Sequence, residues 1–252
     1  PKTLEKYRTL LAEQIQYFKV TQYFFFKQWG ELKDYANQKG IKIIGDMPIY
    51  VAADSVEVWT KPELFQLDKE RNPLFVAGVP ADQFSATGQL WGNPLYDWEE
   101  HKKQGYAWWI HRIEESFKIY DVLRIDHFKG FSDYWQVDGK ADIAKDGSWQ
   151  PGPGYDLFKA VKEQLGDLPI IAEDLGNIDD KARKLLADCN YPGMKILQFG
   201  FEDVSGKSLD SPHYCIPHSI VYTGTHDNDV TNGWYNGLTE QQQQYINAVS
   251  YT

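Results

Sequence analysis

Three acidic residues stand where short apolar runs end. Asp126 follows Val122-Leu-Arg-Ile, Glu173 follows Ile170-Ile-Ala, and Asp227 closes Ser219-Ile-Val-Tyr-Thr-Gly-Thr-His. In an extended strand alternate side chains share a face. Val122, Arg124 and Asp126 then point one way, and Leu123, Ile125 and His127 the other. The apolar set suits a layer of covering helices, which leaves Arg124 beside Asp126 on the opposite face. An adjacent guanidinium favours the charged carboxylate, although a purely structural Arg–Asp pair gives the same pattern. Glu173 shares its face with Ile171, away from Ile170 and Ala172. A carboxyl emerging from an apolar strand is partly desolvated, and its raised pKa suits a general acid. The competing role is to bond the N-terminus of the next helix, for which Asp174 is the better candidate. His226 and Asp227 can bind hydroxyl groups or a metal. One ionised Asp, one protonated Glu and a further Asp match retaining glycoside chemistry. There a nucleophilic carboxylate and an acid/base carboxyl flank the scissile bond, roughly 5 Å apart.

The elements that carry these residues follow one design. Apolar runs at 41–47, 121–126, 169–173, 194–199 and 219–227 read as strands. Amphipathic patterns between several of them, about 106–120, 157–165 and 179–188, read as helices. Residues 1–39 read as helix, with Gly40 as its stop. Strands alternating with helices predict a parallel α/β sheet, with function at the C-terminal strand ends. Ile44-Gly-Asp-Met-Pro-Ile lacks the G-x-G-x-x-G of a dinucleotide fold, so a (β/α)8 TIM barrel is favoured. Residues 47–98, with five prolines, are too long for a simple connection and predict a lid or inserted subdomain. Residues 138–154 read as a second, Gly/Pro-rich loop. Thr239 with Gln242 fits a capping box.

The chain has 252 residues, enough for one large domain. Its net charge of −10 argues against a nucleic-acid partner, and no apolar run is long enough to span a bilayer. Two cysteines, Cys189 and Cys215, suit free thiols in a reducing cytosol. A cytoplasmic location is therefore expected. No CxxC or HExxH spacing suggests zinc. Aromatic residues make up 15% of the chain, which fits either a large aromatic core or a groove that stacks on sugars. Pro1 in place of an initiator Met points to a trimmed start, and no leader is visible.

With these motifs the chain resembles the amylomaltase, or 4-alpha-glucanotransferase (disproportionating enzyme), family of the α-amylase clan. The resemblance rests on Ile44-Gly-Asp-Met-Pro-Ile-Tyr-Val, Gly88-Gln-Leu-Trp-Gly-Asn-Pro-Leu-Tyr, Arg124-Ile-Asp-His-Phe-Lys-Gly-Phe, Ile171-Ala-Glu-Asp-Leu-Gly and Tyr222-Thr-Gly-Thr-His-Asp-Asn, in that order. It implies Asp126 as nucleophile, Glu173 as general acid/base and Asp227 as transition-state stabiliser. It implies Arg124 as the orienter of the nucleophile and His226 as a sugar ligand. Asp46 and Tyr50 are implied at the donor site. Phe84, Trp91 and Asn93 belong to or follow a mobile loop over an acceptor groove, within a lid at about 78–91. Gln83 stands where many relatives carry an aromatic residue, and Lys129 where an Arg is common. The implied partners are maltodextrin, or α-1,4-glucan, donors and acceptors, without a metal or organic cofactor.

Three other functions remain open at this stage. A retaining α-glucan hydrolase would use the same carboxylates. A metal-dependent hydrolase would use Asp126, His127, His226 and Asp227. An inactive glucan-binding fragment is the third. It arises because five strands are countable, matching the family's third to seventh, with no counterpart for the first two or the last. The expectation is therefore a partial barrel over 1–252 with an insertion at about 47–98. Its open edges would favour self-association.

Overall fold

The computed structural model describes residues 2–81, 85–176, 178–201 and 204–249. The chain opens with α1 (Lys2–Leu10) and α2 (Ala12–Gln38), then β1 (Ile44–Met47), α3 (Val56–Thr60), β2 (Phe75–Val79) and β3 (Gln89–Pro94). Next come α4 (Trp98–Lys103), α5 (Ala107–Ile119), β4 (Val122–Ile125), β5 (Asp133–Asp138) and β6 (Ser148–Pro151). The remainder is α6 (Tyr155–Leu165), β7 (Ile170–Ala172), α7 (Asp180–Cys189), β8 (Gly193–Ile196), α8 (Leu197–Gly200), β9 (Ser219–Tyr222), α9 (Thr231–Gly237) and α10 (Glu240–Val249).

The five expected strands are present and parallel. β1, β4 and β7 form one sheet in that order, and β8 pairs with β9 in another. The two sheets are joined where the Ala172 N–H donates to the Pro192 carbonyl at 3.0 Å. The Met194 N–H adds a bond to the Asp174 carboxylate at 2.7 Å. Asp174 therefore ties β7 to β8 rather than capping the next helix. That cap is Asp179, which accepts from the Ala182 N–H at 2.9 Å. The fourth apolar run is shorter than expected as a strand. It turns helical at Leu197, and the buried Gln198 amide donates to the Asp229 carbonyl at 2.9 Å. The capping box is present, with the Thr239 N–H donating to Gln242 at 3.0 Å and the Gln242 N–H to Thr239 at 3.3 Å.

Strand alternation sorts the core as anticipated. Leu123, Ile125, Ile170 and Ala172 pack outward with Trp109, Ile113, Phe128 and Phe158. Ile171, Met194 and Ile196 cluster on the other face with Val122 and Tyr222. Gly45 is required in β1, because a Cβ there would overlap the Tyr120 ring. At the end of the sheet remote from the acidic residues, Asp121 accepts from the Ile43 N–H at 2.8 Å and from the Asn37 amide at 2.9 Å. The Trp29 indole N–H reaches the Ile119 carbonyl at 2.8 Å, so the C-terminal half of α2 is docked. No residue of α1 or α2 is fully buried.

The long insertion and the Gly/Pro-rich stretch are not two separate loops. Parts of both form one antiparallel sheet, ordered β3-β2-β5-β6. The insertion thus shares its sheet with residues beyond β4. Tyr134 of β5 joins the main core, while Trp135 and Val137 pack with Val76 and Ala144 on the opposite face.

Candidate active site

Register places the first charges. Asp46 of β1 lies beside Arg124 of β4 in the parallel pair. The Arg124 side chain is 9% exposed, and its Nη1 lies 2.6 Å from Asp46 Oδ1 and 3.0 Å from Asp126 Oδ1. Its Nε faces Met194 Sδ of β8 at 3.4 Å, so the guanidinium crosses the inner face of the strands. Burial raises the Asp126 carboxyl above its ordinary value. Arg124 pulls it back, and the nearby Asp46 and Asp227 charges push it up again. Arg124 thus acts in the expected direction, but burial outweighs it.

The turn after β9 brings two more expected residues to this cluster. His226 Nε2 is 3.7 Å from Asp46 Oδ2 and 3.5 Å from Asp227 Oδ2. Both side chains are largely exposed. The turn braces itself, with the Thr225 N–H and hydroxyl bonding Asn228 Oδ1 at 2.9 and 3.0 Å.

Glu173 sits beside the cluster, immediately past β7. Its carboxylate accepts the Leu175 N–H at 2.7 Å and the His127 N–H at 2.8 Å. Burial nevertheless raises its pKa to about 7, with the Asp126 charge adding to the rise and Arg124 opposing it. Desolvation of a carboxyl outweighs two backbone donors here. The His127 donor was not legible in the sequence. His127 has left-handed backbone geometry (φ 48°), which ends the strand alternation. Its imidazole is buried, which lowers its pKa to about 4. It meets Trp91 edge-on at 4.9 Å, and its Nε2 has no hydrogen-bond partner. His is among the non-glycine residues that adopt this backbone region more readily, which is the one faint clue.

A cavity of about 770 Å³ opens beside Glu173. One wall is the antiparallel sheet, through Val79, Gln89, Trp91, Trp149 and Pro151. The other is the strand-end region, through His127, Lys129, Leu175, Asp179 and Lys181. Trp91 is 37% exposed and lines the cavity. Tyr50 is not on the surface of this groove. It is 7% exposed, stacked on Tyr96 at 6.0 Å and set behind Trp91 at 6.2 Å. The Asn93 amide donates to the Val51 carbonyl at 3.0 Å. Phe84 and Gln83 lie outside the described residues. The proposed metal set does not converge, since the His127 ring is buried against Trp91. Among the described residues, three groups able to share an ion come together only at exposed His111, Glu114 and Glu115 on α5.

A family model for 4-alpha-glucanotransferase matches residues 1–252. The chain belongs to the 4-alpha-glucanotransferase family. A member from Streptococcus pneumoniae is 54% identical over 244 residues, covering 96% of this chain and 48% of that protein. One from Thermus thermophilus is 45% identical over 252 residues, covering 97% of this chain and 49% of its own. The solved amylomaltase from Streptococcus agalactiae in complex with acarbose superposes with a TM-score of 0.97 at 60% identity. It covers 100% of this chain and 51% of that one. The α/β fold is therefore that of the TIM-barrel amylomaltases. The chain spans about half the length of the relatives it matches.

Proposed function

We propose that the protein containing this chain is a 4-alpha-glucanotransferase that moves α-1,4-glucan segments between maltodextrins by retaining double displacement. The observation that carries the reading is the pairing of two unlike carboxyls on neighbouring strands. Glu173 is poised to hold a proton near neutrality, and Asp126 is gripped by Arg124. Glu173 protonates the departing glycosidic oxygen while Asp126 attacks the anomeric carbon, forming a glycosyl ester. The acceptor hydroxyl then loses its proton to Glu173 and attacks the same carbon, releasing Asp126. Two inversions retain the α configuration. Asp46, Asp227 and His226 border the sugar on the Asp126 side and supply acceptors and a donor for its hydroxyls. The cavity between Glu173 and Trp91 receives the acceptor, and Tyr50 acts by supporting Trp91. Neither step calls for a metal or an organic cofactor.

The five parallel strands are, in this reading, part of one barrel whose remaining strands lie in the rest of the parent protein. Self-association of the isolated chain through the outer edges of β1 and β9 belongs to the same proposal. So does a cytoplasmic location, consistent with two unpaired cysteines. No described helix is long and apolar enough to cross a membrane.

The test is incubation of the full-length protein with maltotriose. Transfer redistributes chain lengths, including free glucose, at a constant number of reducing ends. A reducing-end count that climbs in step with substrate loss would instead establish a hydrolase.

A further inference from the structure

Trp149 is a part of the cavity wall that the reaction scheme leaves unused. It lies on β6 directly across from Trp135 of β5, with ring centroids 5.2 Å apart and planes at 67°. Trp135 is buried, and its indole N–H donates to the Ala144 carbonyl at 2.8 Å. Gly147, in the turn between them, admits no side chain, since a Cβ would run into the Trp135 indole. The hairpin that carries Trp149 is thus fixed from beneath. From the strand-end side, the Lys129 ammonium sits 4.7 Å from the Trp149 ring centroid and is ion-paired with Asp179. A cation over an indole adds a further restraint. Trp149 still keeps 43% of its surface exposed and lines the same cavity as Trp91 and Glu173.

The two tryptophans occupy different stations. Trp91 touches His127, whose backbone N–H holds Glu173, so it belongs to the reacting end. Trp149 touches Lys129, and through it reaches Asp179 at the start of α7, so it belongs to the far end.

We propose that Trp149, steadied by Lys129 and Asp179, is a platform for an acceptor glucosyl unit beyond the one that receives the new bond. It thereby gives the enzyme a preference for longer acceptors. The inference rests on the glucanotransferase reading above. A pyranose offers a C–H face and a rim of hydroxyls. An indole covers the face, and Lys129 and Asp179 supply a charged donor and acceptor for the rim. Because the ring is already held in place, little ordering cost remains to be met on binding.

The test uses the full-length enzyme with α-maltosyl fluoride as donor and either glucose or maltotriose as acceptor. Fluoride is a small leaving group, so loading of Asp126 does not require the far end of the cavity. Trp149→Ala should lower the ratio of kcat/KM for maltotriose to that for glucose about tenfold, chiefly through KM. Trp149→Phe, which keeps a ring, should retain most of the ratio. If Trp149→Ala does not accumulate, the ratio is read on Trp149→Leu. An unchanged ratio, whatever happens to the absolute rates, overturns the inference. A wild-type enzyme that consumes the donor but transfers to neither acceptor overturns the glucanotransferase reading, and this inference with it.

Discussion

The strand-end cluster and the antiparallel wall face each other across one cavity, yet they are built by different means. In the cluster, charges hold charges. Arg124 spans Asp46 and Asp126, and backbone N–H groups grip Glu173. In the wall, rings hold rings. Trp135 supports Trp149, and Tyr96 and Tyr50 back Trp91. Charge and burial set the reactivity of a carboxyl, whereas packed rings set shape and reach. The cluster should therefore govern turnover, and the wall should govern how well an acceptor is held.

The largest expected effect tests the cluster. In the full-length protein Asp126→Ala should cut glucan transfer more than about a thousandfold while circular dichroism stays native. Near-wild-type turnover would remove Asp126 from the nucleophile's role. Next, Glu173→Gln should cost about 10²- to 10⁴-fold. The wild-type pH profile sharpens this. Glu173 is protonated below its value of about 7 and ionised above it, and the general acid must carry its proton. The kcat/KM for a glucan donor should therefore fall as pH rises through about 7, and Glu173→Gln should lose that limb. A limb that persists in the variant belongs to another group. The smallest effect tests the wall. Trp91→Ala should raise the acceptor KM about tenfold with a lesser change in kcat. A kcat loss as large as that of Glu173→Gln would erase the division between the two regions.

The two regions also differ in how far they could be read from the chain. The five parallel strands were legible as short apolar runs, four of them ending in an acidic residue, and alternation put Arg124 and Asp126 on one face. The antiparallel sheet was not legible. β5 mixes the two kinds of residue on both faces, with Tyr134 beside Gln136 and Asp138 on one and Asp133 beside Trp135 and Val137 on the other, so no clean alternation marks the strand. β3 and β6 fail for the opposite reason, since most of their residues are exposed and only pairing makes them strands. In the site, the resemblance supplied Tyr50 near the donor site and Trp91 by the acceptor groove, but it carries no depth. One ring lines the cavity and the other lies behind it. The sequence presents His127 only as a candidate metal ligand, because its contribution is a main-chain N–H made available by a left-handed residue where alternation stops. The Lys129–Asp179 pair depends on where α7 begins in space, which residue spacing does not encode.

That His127 contact has a consequence for how the site tolerates sequence drift. Glu173 is tethered to the segment that carries Asp126 by a peptide N–H, and a second peptide N–H, from Leu175, holds its other oxygen. Substituting any residue other than proline at 127 or 175 leaves both donors in the chain. In the proposed mechanism the placement of Glu173 relative to Asp126 is thus held by main-chain groups rather than by side chains. The two positions differ in one respect: His127 presents its donor from a left-handed backbone that a β-branched residue would strain, whereas Leu175 does not.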